Sequence, residues 1–433
     1  MDLFVIIAVL GLFGLFVVQP KYGLYLSAAS LPLIGWNFTF TSFVIPAGDL
    51  AALLSLAAFL TRLTIDALFS KQKVELRWPL FFPFFLFFVA SILSIAFSKN
   101  PETSLYYFLR WPFFLYFAYI FTPANIIKTP RILKTTVIIV FLSAMAVLLT
   151  GYASLYGQDW QDNFFRLKSL NIGGIFPFGE NHNLIAEYLN IGAFFVLIFR
   201  EFIKSPRGKR LTDIIFALTA VGIIMTFSRA GWITLFLQSL IYFFYRTQNN
   251  KKERLAMFIF SIAALVVISP LLWKMSVLQE NNTSSTENRV LLTEISLQAF
   301  KERPFIGYGN GEFVNLVGEN IRFRAKYGEP LDSHGMLQKL LAENGLIGLG
   351  AWLFLLFYLA RTAFLALRKY YPQLKWILPF SLAAGGGLFF QFFNTSYFKG
   401  RVWLPIVLFL MAIKFSDELY DKKNKRPTHP TQS

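Results

Sequence analysis

His334 stands in Asp332-Ser333-His334, just ahead of an apolar run at Met336, Leu337, Leu340 and Leu341. This spacing predicts a helix with Asp332 or Ser333 as its N-cap and Asn344-Gly345 as its stop. A histidine in the first turn faces the positive end of the helix, which disfavours imidazolium. A neutral imidazole is what a general base requires; the plain alternative is a solvated histidine at a helix start. Arg229, in Thr226-Phe227-Ser228-Arg229-Ala230-Gly231-Trp232, lies between two apolar runs with almost no loop to carry it. An arginine at such an edge is a functional candidate by default, against the plain reading of a snorkelling side chain. Arg289 follows a capping-box pattern, Ser284 to Glu287. Arg166 and Lys168 add charge in one loop, and Arg303, Arg322, Arg324 and Lys326 in another. Arginine is the preferred partner of phosphate oxygens. The chemistry these residues suit is capture of a phosphate-bearing anion beside a base.

Two other patterns are weaker. His182, in Glu180-Asn181-His182-Asn183, reads as a cap or an interfacial packing residue. Gly307-Tyr308-Gly309-Asn310-Gly311 has the glycines of a phosphate cradle, but it follows a helix and lacks the Lys-Ser/Thr of a P-loop. A tight turn is the expectation there.

The elements that position these residues must be membrane helices. Of 433 residues, 55 % are hydrophobic and 15 % charged, with mean hydropathy +0.52. Soluble domains carry roughly 25 % charged residues, so this chain lacks the polar surface for water. Cysteine is absent, which excludes disulfides, thiolate metal sites and a Cys nucleophile. Three scattered histidines and acid-poor short loops argue against a resident metal, and no cofactor is expected.

Apolar runs near 3–18, 22–35, 44–61, 78–97, 106–122, 132–150, 182–199, 211–227, 230–245, 255–272, 347–366, 376–393 and 402–415 are candidate spans. One of the first two is short enough to be half-inserted, leaving about 12 transmembrane helices in an all-α polytopic membrane protein. Met1-Asp2-Leu3 has no basic n-region, so the start reads as a span and not a cleavable signal. Lys/Arg cluster in alternate short loops, among them 200–210, 246–254 and 368–375. The positive-inside rule makes those loops cytoplasmic. The net charge of +17 is then a topology signal, and nucleic acid is not an expected partner. The expected layout is a helical region over 1–273, a large extracytoplasmic loop with two helices over 274–346, a second helical region over 347–415, and an unstructured cytoplasmic tail over 416–433.

Three stretches, in order, resemble the O-antigen ligase family of bacterial membrane proteins. They are Ser228-Arg229-Ala230-Gly231-Trp232; Asn288-Arg289 with Pro304-Phe305-Ile306-Gly307-Tyr308-Gly309; and Ser333-His334-Gly335 with Leu340-Leu341-Ala342-Glu343-Asn344-Gly345. Gly173-Gly174-Ile175-Phe176 with Asn183-Leu184-Ile185-Ala186 looks like an earlier block of the same family. Gly335 departs from it, since the family usually has Asn after the histidine. The resemblance implies a metal-independent, inverting glycosyltransferase in the bacterial inner membrane, with its active site on the periplasmic side. Its donor would be a glycan on undecaprenyl diphosphate, and a ligase's acceptor a sugar hydroxyl of lipid A-core. Carried over by position, Arg229 and Arg289 would hold the diphosphate, with Arg166 secondary, and His334 would take the acceptor's proton. Polymerases and protein O-oligosaccharyltransferases share the family. The non-enzyme alternative is a transporter of lipid-linked glycans, for which Asp49, Glu187 and Asp213, set in or beside apolar runs, speak best.

Overall fold

A computed structural model of the chain describes residues 3–40, 43–69, 75–156, 158, 166–247, 252, 255, 284–371, 373–394 and 400–424. The span expected near 255–272 lies almost wholly outside these residues. The chain is predominantly helical. In order come α1 (Leu3–Val18), α2 (Pro20–Ser30), α3 (Ala47–Phe69), α4 (Phe81–Ala96), α5 (Pro101–Phe108), α6 (Thr122–Ile126), α7 (Pro130–Ala153), α8 (His182–Phe202), α9 (Pro206–Met225) and α10 (Arg229–Arg246). They are followed by α11 (Ser284–Glu302), α12 (Glu312–Glu319), α13 (Ile321–Tyr327), α14 (Met336–Tyr370), α15 (Ile377–Asn394) and α16 (Gly400–Asn424). Among the described residues α3, α7, α8 and α14 are long and apolar enough to cross a membrane, and shorter apolar helices cover Ile7–Val18, Phe81–Ala96 and Ile377–Phe393. This is a multi-pass membrane architecture.

The fold is not purely helical. A two-stranded antiparallel hairpin, β1 (Asn37–Phe40) with β2 (Phe43–Pro46), stands where a plain loop was expected. The expected span 106–122 is also irregular: π-type turns over Leu109–Phe113 and Tyr116–Phe121 separate α5 from α6. Pro112 lies in the first of them, and a proline there removes one helical hydrogen bond and crowds the preceding turn.

α8 is the central helix, buried without interruption from Ile185 to Ile198. Such all-round burial suits a helix that is apolar nearly all round, with Glu187 and Asn190 the buried polar exceptions, and small residues let its neighbours approach. A Cβ on Gly192 would lie 2.6 Å from Ala144 Cβ of α7. A second, smaller core joins Leu292, Ile295 and Ala299 of α11 to Tyr308, Phe313, Val317, Phe323 and Ala342. It knits 284–344 into a body of its own.

That body differs from the two-helix loop expected. Between α11 and α14 it contains two short helices, α12 and α13. The Gly-rich turn between α11 and α12 is a packing device. Tyr308 and Gly309 N–H donate to the Ala342 and Glu343 carbonyls, both at 2.9 Å. A Cβ on Gly307 would fall 2.4 Å from the Glu343 backbone. α14 is kinked at Gly345, whose φ of +59° and ψ of −156° are non-helical. The N–H groups of Leu346 and Ile347, freed by the kink, donate to Pro304 and Phe305 carbonyls at 2.8 and 3.1 Å. The stop at Asn344-Gly345 is therefore real, and the glycine turn satisfies it.

The tail also departs from expectation, because α16 continues through 416 to Asn424. Asp417 explains the continuation: it accepts from Lys369 Nζ at 2.7 Å and bonds the Tyr370 hydroxyl at the end of α14.

Candidate active site

Arg229 is the first residue of α10, and its motif is a helix start in which each residue has a task. Ser228 caps the helix by accepting the Gly231 N–H at 3.2 Å. Gly231 lets α10 meet α8, where a Cβ would lie 2.9 Å from Ala186 Cβ. The Trp232 indole N–H reaches back to the Ile224 carbonyl at 3.0 Å, and Phe227 turns the chain with a left-handed φ of +54°. The short link between α9 and α10 leaves the Arg229 side chain exposed at this end of the bundle.

Arg166 is set by its neighbour. The buried Leu167 fills space beside Gly151 of α7 and Gly222 of α9, and its N–H donates to the Met225 carbonyl at 2.8 Å. Gln158 brackets Arg166, accepting its N–H at 3.1 Å and donating to its carbonyl at 2.7 Å. Arg289 lies half-buried in the second turn of α11, with Nε buried and without a hydrogen-bond partner among the described residues.

His334 is not in a first turn. α14 begins two residues later, at Met336, with Gly335 at the cap position and no side-chain cap. The expected cap fails because Asp332 is engaged elsewhere: both its oxygens accept from Lys339 Nζ at 2.8 Å. Gln338 Oε1 instead accepts the His334 N–H at 3.2 Å. Gly335 is needed for packing, since a Cβ there would sit 2.9 Å from the Phe392 carbonyl oxygen of α15.

These segments converge. Burial, and then the Arg229 guanidinium, pull the Arg289 pKa below its ordinary value. Burial likewise depresses Arg166. Burial, and then Arg289, push the His334 imidazole below 6.5, against an upward pull from Asp332. Arg166 and Arg289 both act on the His182 imidazole. Arg166, Arg229, Arg289 and His334 are thus brought together, from a loop, α10, α11 and the approach to α14. His182, expected to be a capping or packing residue, joins them at the head of α8, while Asn181 does the capping. Its sequence signal was only its place at the mouth of a span.

Three of the other loop cations are engaged elsewhere. Arg303 donates to the Phe97 carbonyl at 2.7 Å and covers the Tyr308 ring at 4.6 Å. Arg322 lies 3.9 Å from Glu294, and Lys326 pairs with Glu287. The side chain of Ser284, and with it the expected capping box, lies outside the described residues. The arrangement can hold a multiply charged anion against a neutral imidazole.

Comparison with known proteins adds two likenesses. The chain is 27 % identical over 190 residues to a ComP-specific O-oligosaccharyltransferase of Acinetobacter baylyi, covering 42 % of this chain and 34 % of the relative. The chain thus spans about a third of that relative's length. Residues 214–353 match the family described as O-antigen ligase. The resemblance to the O-antigen ligase family read from the sequence is therefore shown over the segment that holds Arg229, Arg289 and His334.

Proposed function

We propose that this protein is a membrane-embedded, inverting glycosyltransferase. It takes a glycan from undecaprenyl diphosphate and, as an O-antigen ligase, joins it to a sugar hydroxyl of lipid A-core. The observation that carries this reading is the convergence of Arg229, Arg289 and His334 from separate segments at one end of the bundle. The diphosphate lies against the guanidiniums of Arg229 and Arg289, with Arg166 beside them, and their charge offsets what develops on the leaving group. The acceptor oxygen attacks the anomeric carbon from the opposite face. The bond from that carbon to the diphosphate breaks, its electron pair leaves with the diphosphate oxygen, and His334 takes the acceptor's proton. No metal enters the scheme, since arginine supplies the positive charge. The reading sets this end of the bundle, with the 284–344 body, on the extracytoplasmic side of a bacterial inner membrane with about 12 crossings.

A second reading, transfer to a protein hydroxyl, is favoured by the name of the Acinetobacter relative. It uses the same donor site and differs only in the acceptor. Purified protein in lipid nanodiscs, given a lipid-linked glycan with lipid A-core in one reaction and an acceptor protein in another, separates the two. Product on lipid A-core supports the ligase, product on the acceptor protein alone moves the assignment to the second reading, and product in neither reaction removes both.

A further inference from the structure

Lys339 is only 4 % exposed, one turn into α14. Burying an ammonium is costly unless anions meet it, and here two do. Asp332 binds it through both oxygens at 2.8 Å, and Glu343 Oε1 lies 3.6 Å away. Glu343 also accepts the Phe313 N–H at 3.3 Å, tying the group to α12. The ring of Tyr107, from α5, lies 5.9 Å from Nζ. Asp332 accepts the Ser333 N–H at 2.8 Å, and Gln338 accepts that of His334. Residues 332–334 have no helical hydrogen bonds of their own. Two adjacent side chains of α14, Gln338 and Lys339, hold them in place.

We propose that Lys339 is a positioning residue for the transfer reaction: by clamping Asp332 it fixes the segment that presents His334 and limits the negative charge the imidazole feels. The inference rests on the reading of His334 as general base. The charged groups that act on the imidazole are Arg289 from α11 and Asp332 from its own segment. Arg229 acts on Arg289, and Glu343 and Tyr107 face Lys339. With Lys339 present, much of the Asp332 charge is directed to the ammonium. Without it, Asp332 favours imidazolium and the His334 midpoint rises. Without the Asp332 charge, the midpoint falls.

The test follows the His334 titration by NMR in full-length, histidine-labelled protein in nanodiscs, alongside the pH profile of transfer. The signal is assigned by its loss in His334→Ala. Lys339→Gln should move the midpoint up and Asp332→Asn should move it down, each by at least about 0.3 pH unit. Lys339→Arg should restore most of the parent value, and the acidic limb of kcat should follow each shift. Shifts of the same sign, or none, overturn the proposal. Should Lys339→Gln fail to fold, Asp332→Asn decides alone, and an unmoved or raised midpoint overturns it. If the midpoints shift as expected while the acidic limb stays put, His334 is not the base, but Lys339 still positions it.

Discussion

Arg401 and Arg289 are both removed from water, yet their surroundings are opposite. Arg401, at the head of α16, is 2 % exposed and paired with Glu187 of α8, which is fully buried. Asp49, hydrogen-bonded to the Tyr119 hydroxyl at 2.8 Å, is a further acidic group within its electrostatic reach. Arg289 is half-buried at the site, and its charged neighbour there is another guanidinium, Arg229. Inside the bundle Arg401 is matched, because an unmatched charge in low dielectric is expensive. At the site two guanidiniums lie close enough to act on each other. Opposite charges brought together hold helices; like charges brought together suit a ligand of the other sign. The same comparison weakens the transporter reading. Asp49, Glu187 and Asp213 are each engaged, Asp213 with Arg200 at 2.6 Å.

The comparison can be broken most forcefully inside the bundle. Arg401→Ala leaves the Glu187 carboxylate buried and alone, and should cost about 3–5 kcal/mol of stability. The check is the thermal unfolding midpoint in detergent. Replacing Glu187 and Arg401 together with Leu should recover much of the loss. A single variant as stable as the parent would mean that the pair does not hold α8 to α16.

At the site, substitution should cost activity and leave the fold intact. His334→Ala should lower turnover by about 10²–10⁴-fold with donor binding largely retained. Because burial and Arg289 hold the imidazole below 6.5, it is mostly neutral at neutral pH. Parent activity should therefore fall only as pH drops through a midpoint below 6.5, and this limb should vanish in the variant. Should His182→Ala be dead while His334→Ala turns over normally, the two histidines have been given each other's roles.

Arg229→Lys and Arg289→Lys sharpen the contrast further. Each keeps the charge but loses the planar fork that matches phosphate oxygens. Transfer should drop about tenfold or more, while the unfolding midpoint stays within experimental error. Normal transfer by both lysine variants would remove the clamp. The smallest effect belongs to chelation. Excess EDTA should leave transfer unchanged, and abolition reversed by magnesium or manganese would show that arginine is not the only cation at the diphosphate.

The candidate site was legible in part, residue by residue. Arg229 stood out because an arginine between two apolar runs has nowhere to go but an edge, and His334 because it precedes a periodic apolar face. Lys339 was not legible as more than a helical residue. Its i,i+4 spacing to Glu343 was visible, but the burial that makes the pair matter comes from α5 and α12. The predicted cap at Asp332 failed for the same reason, since a lysine seven residues on engages both its oxygens and only the adjacent Ser333 N–H reaches it. The tail after Phe415 read as unstructured because its polarity was visible and its anchor on Lys369 and Tyr370 was not.

From the sequence alone, the chain is a helical membrane protein with a stop at Asn344-Gly345, whereas the break at Pro112 emerged only in the structure. Apolar length, proline and glycine act within a few residues of backbone, and a bilayer leaves helices as the main answer. Tertiary packing decided which cations gather. Arg303, Arg322 and Lys326 looked as suitable as Arg166 and Arg289 until the fold gave them a backbone carbonyl, Glu294 and Glu287 as partners. Coulombic and hydrogen-bond energies depend on distance and burial. Residues 166, 229, 289 and 334 acquire their mutual distances only when α8, α10, α11 and the approach to α14 are packed at one end of the bundle.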